Sequence, residues 1–96
     1  MLILITYDVS TESKEGRRRL HKVAKCCVAH GQRVQNSVFE CNLDWGTMLA
    51  LQNQLKGLID PTQDSLRFYN LGNNYANKVE HVGLRPSIQL DGTIIV

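Results

Sequence analysis

No stretch of this chain stays apolar long enough to cross a bilayer. The aliphatic start, Leu2–Ile5, has no basic segment ahead of it of the kind that opens a secretory signal. A cytoplasmic protein with no membrane partner is therefore expected. Also missing are a Cys-x-x-Cys pair and any Cys/His spacing of a zinc site: Cys26 and Cys27 are neighbours, and Cys41 stands alone. An odd number of thiols in such a chain reads as buried cysteine, with neither a disulfide nor a structural metal. Repeats and low-complexity segments are absent too. Ninety-six residues, 43% apolar and 21% charged, suit a single globular domain over 1–96 and exclude a disordered or collagen-like chain.

What the chain does have is a short aliphatic strand that ends in a carboxylate. Leu2–Ile5, closed by Thr6-Tyr7-Asp8, reads as a strand buried on both faces and so central in its sheet. Asp8 falls where strand gives way to loop, a place that holds a side chain still yet leaves it accessible. A lone Asp there is more commonly a turn cap. Ser10, Thr11 and Ser13 offer N-caps for a helix over Glu15–His30, with Leu20, Val23, Ala24, Cys27 and Val28 on its apolar stripe. Gly31 stands where a left-handed residue would end that helix. Gln32–Leu43 is β-prone, but its alternation changes phase at Asn36-Ser37, which means a bulge or, the favoured reading, a tight reversal between two short strands. Asp44 caps a second helix over Trp45–Ile59, stopped by Asp60-Pro61. Asp64–Leu71 reads as a strand.

The remaining stretch, Tyr75–Val96, carries apolar pieces at Val79–Val82 and Ile88–Leu90. A hairpin signal, Asp91-Gly92, precedes a final Thr93-Ile94-Ile95-Val96. The order strand, helix, strand, strand, helix, strand is the α+β ferredoxin-like split βαβ plan (βαββαβ), here with an additional C-terminal β segment. Both helices cover one face of such a sheet. The open face predicts a homodimer, and the tail from about residue 75 either extends its own sheet or is added to or exchanged with the partner's edge. A plan so widely used names no function.

Charge says more by its placement than by its net value of +2. Lys14, Arg17, Arg18, Arg19, Lys22 and Lys25 put six cations into twelve residues, with Glu15 the only anion among them. Such clustering is the usual footprint for phosphate backbones. A solvated helix face is the plainer reading, and a Glu15–Arg19 pair at i, i+4 would support it. Arg17, Arg18, Lys22 and Lys25 have no partner of that kind.

Three pieces together carry a resemblance: the strand end Tyr7-Asp8-Val9, the helix start Arg17-Arg18-Arg19-Leu20-His21-Lys22-Val23, and the run Gly31-Gln32-Arg33-Val34-Gln35-Asn36-Ser37-Val38-Phe39-Glu40. They are similar to the family of the second CRISPR-associated core protein, a small endonuclease and spacer-acquisition protein of bacterial and archaeal antiviral defence. The resemblance covers about the first 45 residues by motif and the rest by length and strand order. It implies a ferredoxin-like homodimer with its two strand-one aspartates facing across the dyad. It also implies Mg2+-dependent, or other divalent-cation-dependent, cleavage of double-stranded DNA or RNA phosphodiesters, and a DNA-binding role beside a CRISPR integrase subunit. By the same resemblance Asp8 is the catalytic residue and metal ligand. Arg17, Arg18, Arg19, Lys22 and Arg33 are nucleic-acid-binding, and Tyr7 and Phe39 are supporting residues.

The chemistry sets conditions on that reading. Magnesium is usually held by one or two carboxylates and keeps several waters. One Asp per chain is too few, whereas two across a dyad are a workable minimum, so cleavage would belong to the dimer. No His lies near Asp8 in sequence, which leaves a metal-activated water as the nucleophile. Two aspartates without metal repel, so activity would be weak or conditional. Tyr7 neighbours Asp8 but points to the other face of the strand. Phe39 reads as core or dimer interface, and Trp45 as a hydrophobic anchor. The alternatives are a non-catalytic adaptor that bridges nucleic acid and a ferredoxin-like regulatory dimer that binds a small molecule.

Overall fold

Alternation along the first strand decides what each face of the sheet does. In the computed structural model, which describes residues 1–84 and, beyond them, only Ser87–Ile88 and Ile94–Ile95, β1 spans Leu2–Asp8. Its Ile3, Ile5 and Tyr7 are buried beneath the helices, while Leu4 and Thr6 are half-buried and Asp8 is exposed. The expectation of a strand buried on both faces is thus corrected within one chain. The helices close one side, and on the other only Leu2, at the start of the strand, is buried.

Helix α1 (Lys14–Val28) starts at Ser13, whose hydroxyl accepts from the Gly16 N–H at 3.0 Å. Val23, Cys26 and Cys27 form its buried stripe. Strands β2 (Gln32–Gln35) and β3 (Val38–Asn42) flank a reversal at Asn36-Ser37, as the phase change predicts, and a register shift between Arg33 and Gln35 adds a bulge. Helix α2 (Trp45–Leu58) is capped by Asp44, which accepts from the Thr47 N–H at 2.7 Å. Strand β4 (Ser65–Asn70) completes a four-stranded sheet of order β2-β3-β1-β4 with antiparallel neighbours. This is the βαββαβ order expected, with β1 in the interior of the sheet.

Phe39, Cys41, Met48, Leu51 and Leu55 complete the core under the helices. All three cysteines are free and buried, and burial pushes the Cys27 thiol up to about 12 and the Cys41 thiol up to about 11. Such thiols are poor nucleophiles and serve as packing. Trp45, by contrast, is 60% exposed, so within this chain it anchors nothing.

Gly31 departs from its expected role. The glycines with positive φ among the described residues are Gly72 and Gly83; α1 ends instead at a right-handed Ala29, and the Gly31 N–H donates to the Cys27 carbonyl at 2.9 Å. Glycine is needed here for close approach. A Cβ would run into Cys41 Sγ and would lie 2.5 Å from the Glu40 carbonyl oxygen. Gly31→Ala is therefore expected to force the α1–β2 connection off β3 at a cost of about 1–3 kcal/mol. Urea denaturation checks this, and an unchanged midpoint would refute it.

Val79–Val82, expected as a β-prone piece, forms no strand, and Val79 and Val82 are exposed. Further on, β5 (Ser87–Ile88) and β6 (Ile94–Ile95) pair antiparallel as a separate two-stranded sheet, Ser87 opposite Ile95. The Asp91-Gly92 turn expected between them lies outside the described residues. Among the described residues no helix is long and apolar enough to cross a membrane.

Candidate functional site

Strand polarity separates two residues that are adjacent in sequence. Asp8 shares its face with Leu4 and Thr6, the face the helices leave open, and stands opposite Ser65 of β4. Its carboxylate is exposed and takes no hydrogen bond among the described residues. Tyr7 points the other way, into the core. Its ring stacks on Phe39 with centroids 6.2 Å apart, and its hydroxyl donates to the Asn36 carbonyl at a long 3.5 Å. Burial raises the Tyr7 pKa, which disfavours the phenolate.

Phe39 is fully buried and acts through its neighbours. The Arg33 guanidinium lies 5.1 Å from its ring centroid, a cation–π arrangement that holds Arg33 beside the β2–β3 turn. Tyr7, Phe39 and Arg33 are thus brought together, on the opposite side of the sheet from Asp8. Arg33 also lines a shallow cleft of about 360 Å³ with Arg17, His21, Asn36 and Ser37. A second, of about 300 Å³, lies along α1 between Lys14, Arg17, Arg18, His21 and Lys22. Neither is lined by a carboxylate. Arg17 also donates to the Thr11 carbonyl at 3.1 Å, which ties it to the loop after β1.

Arg19 is placed differently from its neighbours. Its expected i, i+4 partner was Glu15; the structure pairs it with Asp64, Nε to Oδ2 at 2.8 Å and Nη2 to Oδ1 at 3.3 Å. The partner is thus corrected from Glu15 to Asp64, and with two N–H donors engaged Arg19 is less free for phosphate than the cations beside it. The other cations of α1 have no carboxylate partner among the described residues.

Asp64 was the residue that sequence reasoning missed. Its side chain is fully buried and also accepts from the Ser10 N–H at 3.0 Å and the Asp60 N–H at 2.8 Å. The Arg19 guanidinium, helped by these two amides, holds its carboxyl below the ordinary carboxylate range. An aspartate at the head of a strand was the only signal available, since its partner lies 45 positions away.

As to a metal, no group of three or more His, Cys, Asp or Glu side chains converges among the described residues. The donor set at the strand end is one exposed carboxylate. That suits one ligand position of a mostly hydrated magnesium ion and needs a second carboxylate from elsewhere.

With this geometry in hand, the comparisons with known proteins agree. The family described as CRISPR associated protein Cas2 matches residues 1–79. A protein of Halalkalibacterium halodurans named CRISPR-associated endonuclease Cas2 is 58% identical, with 99% of each chain covered. One of Chlorobaculum tepidum named CRISPR-associated endoribonuclease Cas2 is 52% identical, with both chains covered in full. A crystal structure of Streptococcus pyogenes Cas2 superposes with a TM-score of 0.74 at 51% identity, covering 86% of this chain and 100% of that one. A central strand ending in an exposed aspartate, a basic helix after it, the βαββαβ sheet and these relatives coincide, and the chain belongs to the CRISPR-associated Cas2 family.

Proposed function

We propose that the protein is a CRISPR-associated, magnesium-dependent endonuclease that cleaves phosphodiester bonds of double-stranded DNA, RNA or both, and does so as a homodimer. The observation that carries this reading is Asp8: exposed, free of hydrogen bonds among the described residues, and fixed at the end of an interior strand on the open face. The names endonuclease and endoribonuclease borne by the relatives support the same class of activity.

Asp8 and the partner's Asp8 would hold the metal. When bound, it supplies charge neutralisation and polarisation of a phosphoryl oxygen. Leu4 and Thr6, half-buried on the open face, are the surface a second protomer would cover. The five-residue loop 9–13 connects Asp8 to the first turn of α1, so Lys14, Arg17 and Arg18 begin at the same end of the sheet. Their charges hold the polyanion there by neutralising its phosphates.

The experiment is cleavage of a labelled DNA duplex and a single-stranded RNA, with magnesium and with chelator, across several pH values. Products that need magnesium are expected with at least one polymer. Products of equal yield under chelator would end the metal-dependent reading.

A second reading, a DNA-bridging adaptor beside a CRISPR integrase subunit in spacer acquisition, is favoured by one observation: the α1 cations other than Arg19 lack carboxylate partners among the described residues. It coexists with the first. Here Arg18→Ala and Lys22→Ala are each expected to flatten the salt dependence of duplex binding by about one unit of log–log slope. Arg19→Ala is expected to leave that slope nearly unchanged. Equal losses from all three variants would refute the distinction.

A further inference from the structure

We infer that Asp64 is a positioning residue for Asp8: its buried carboxylate grips the chain two residues beyond the candidate ligand and sets where that strand end stops. The inference rests on the nuclease reading above. The two aspartates have opposite situations. Asp8 is exposed, with no hydrogen-bond partner among the described residues, whereas Asp64 receives four donors from three separate segments and has no capacity left for a ligand.

One arm of the grip reaches the Asp8 strand end directly. Ser65, the residue after Asp64, is the register partner of Asp8, so one dipeptide of the chain holds both the strand end and the start of its loop. Ser10 is also held from its other side. A Cβ at Gly16 would overlap the Ser10 carbonyl oxygen, so only glycine lets α1 press against that peptide. Val9, between Asp8 and Ser10, is buried. Arg19 completes the device by bringing α1, and the cations on it, to the same carboxylate. A strand end that carries a reacting group gains rigidity from such a second layer, because small displacements of a ligand cost binding and rate.

The test uses the full-length chain with Asp64→Asn and, should that variant fold poorly, Arg19→Gln. Arg19→Gln leaves the Ser10 and Asp60 amides their acceptor. Three quantities are measured at a temperature where the variants remain folded by circular dichroism: the single-turnover cleavage rate at saturating magnesium, the magnesium concentration for half-maximal rate, and duplex Kd. Amide exchange at Ser10 is followed alongside. Expected are faster Ser10 exchange and a rate or magnesium affinity lower by about 10-fold to 100-fold, with duplex Kd within about twofold of wild type.

A purely structural role would lower rate and binding together, in proportion to folded protein, and that result would overturn the inference. So would free exchange at Ser10 with an unchanged rate. If wild type itself gave no metal-dependent product, the nuclease reading would fall and this inference with it, an outcome told apart by the wild-type lane alone.

Discussion

Asp8→Asn is expected to give a folded dimer that no longer cleaves. The carboxylate is exposed and unbonded among the described residues, so stability should change by no more than about 0.5 kcal/mol. Activity should change far more. An amide is nearly isosteric with a carboxylate but carries no charge, and losing several kcal/mol of charge stabilisation in the transition state corresponds to a rate loss of about 10³-fold. Mixed dimers sharpen the test. If one site is built from Asp8 of both protomers, equal amounts of wild type and variant, unfolded and reassembled together, should retain roughly one quarter of the activity, the share of wild-type pairs under random pairing. Activity proportional to the wild-type protomers would mean that each chain works alone. Undiminished cleavage by the pure variant would remove Asp8 from the chemistry.

Asp8 was legible in the sequence for a local reason. An aliphatic run closed by polar residues fixes a strand, the strand fixes alternation, and alternation places Tyr7 and Asp8 on opposite faces. The same locality made the Ser13 region, the Asp44 cap and the Asn36-Ser37 reversal readable, each within a few residues of what it controls. At Gly31 the sequence points to the right residue for a different reason. Its place after a helix pointed to backbone conformation, while the deciding atoms belong to Glu40 and Cys41 on a neighbouring strand. Arg19 failed in the same way: Glu15 was the partner in view, but Asp64 comes close only once β4 has paired with β1. Val79–Val82 is apolar enough for a strand, yet no partner strand lies beside it among the described residues, and composition alone could not reveal that. Local order and strand plan could be read, and side-chain contacts between distant positions could not.

The Arg19–Asp64 pair should also govern how the protein responds to acid. Because the Asp64 carboxyl is held below its ordinary range in the folded state, folding favours its ionised form. Its contribution is complete above the unfolded value, close to pH 4, and is lost as pH falls through the lower folded value. Stability should therefore be flat on this account from neutral pH to about pH 5 and decline below it. Asp64→Asn keeps the shape of the side chain but removes the charge and turns a donor toward the Arg19 guanidinium and one of the two amides, Ser10 or Asp60. At neutral pH the loss should be about 3 kcal/mol, the low end for a broken buried pair because Arg19 is partly open to solvent. For a chain of this size that is a fall in Tm of roughly 15 °C. The difference between wild type and variant should then shrink as pH drops through the acidic range. Asp44, also held low by the Thr47 amide and hydroxyl, is common to both proteins and cancels in the comparison, whereas Asp60, whose N–H donates to Asp64 and whose carboxyl Arg19 also lowers, belongs to the same network. Urea titrations of both proteins over pH 3–7 give the two curves. A gap that stays constant with pH would mean that the clamp acts through shape alone, and a gap that widens in acid would show the sign of the coupling to be wrong.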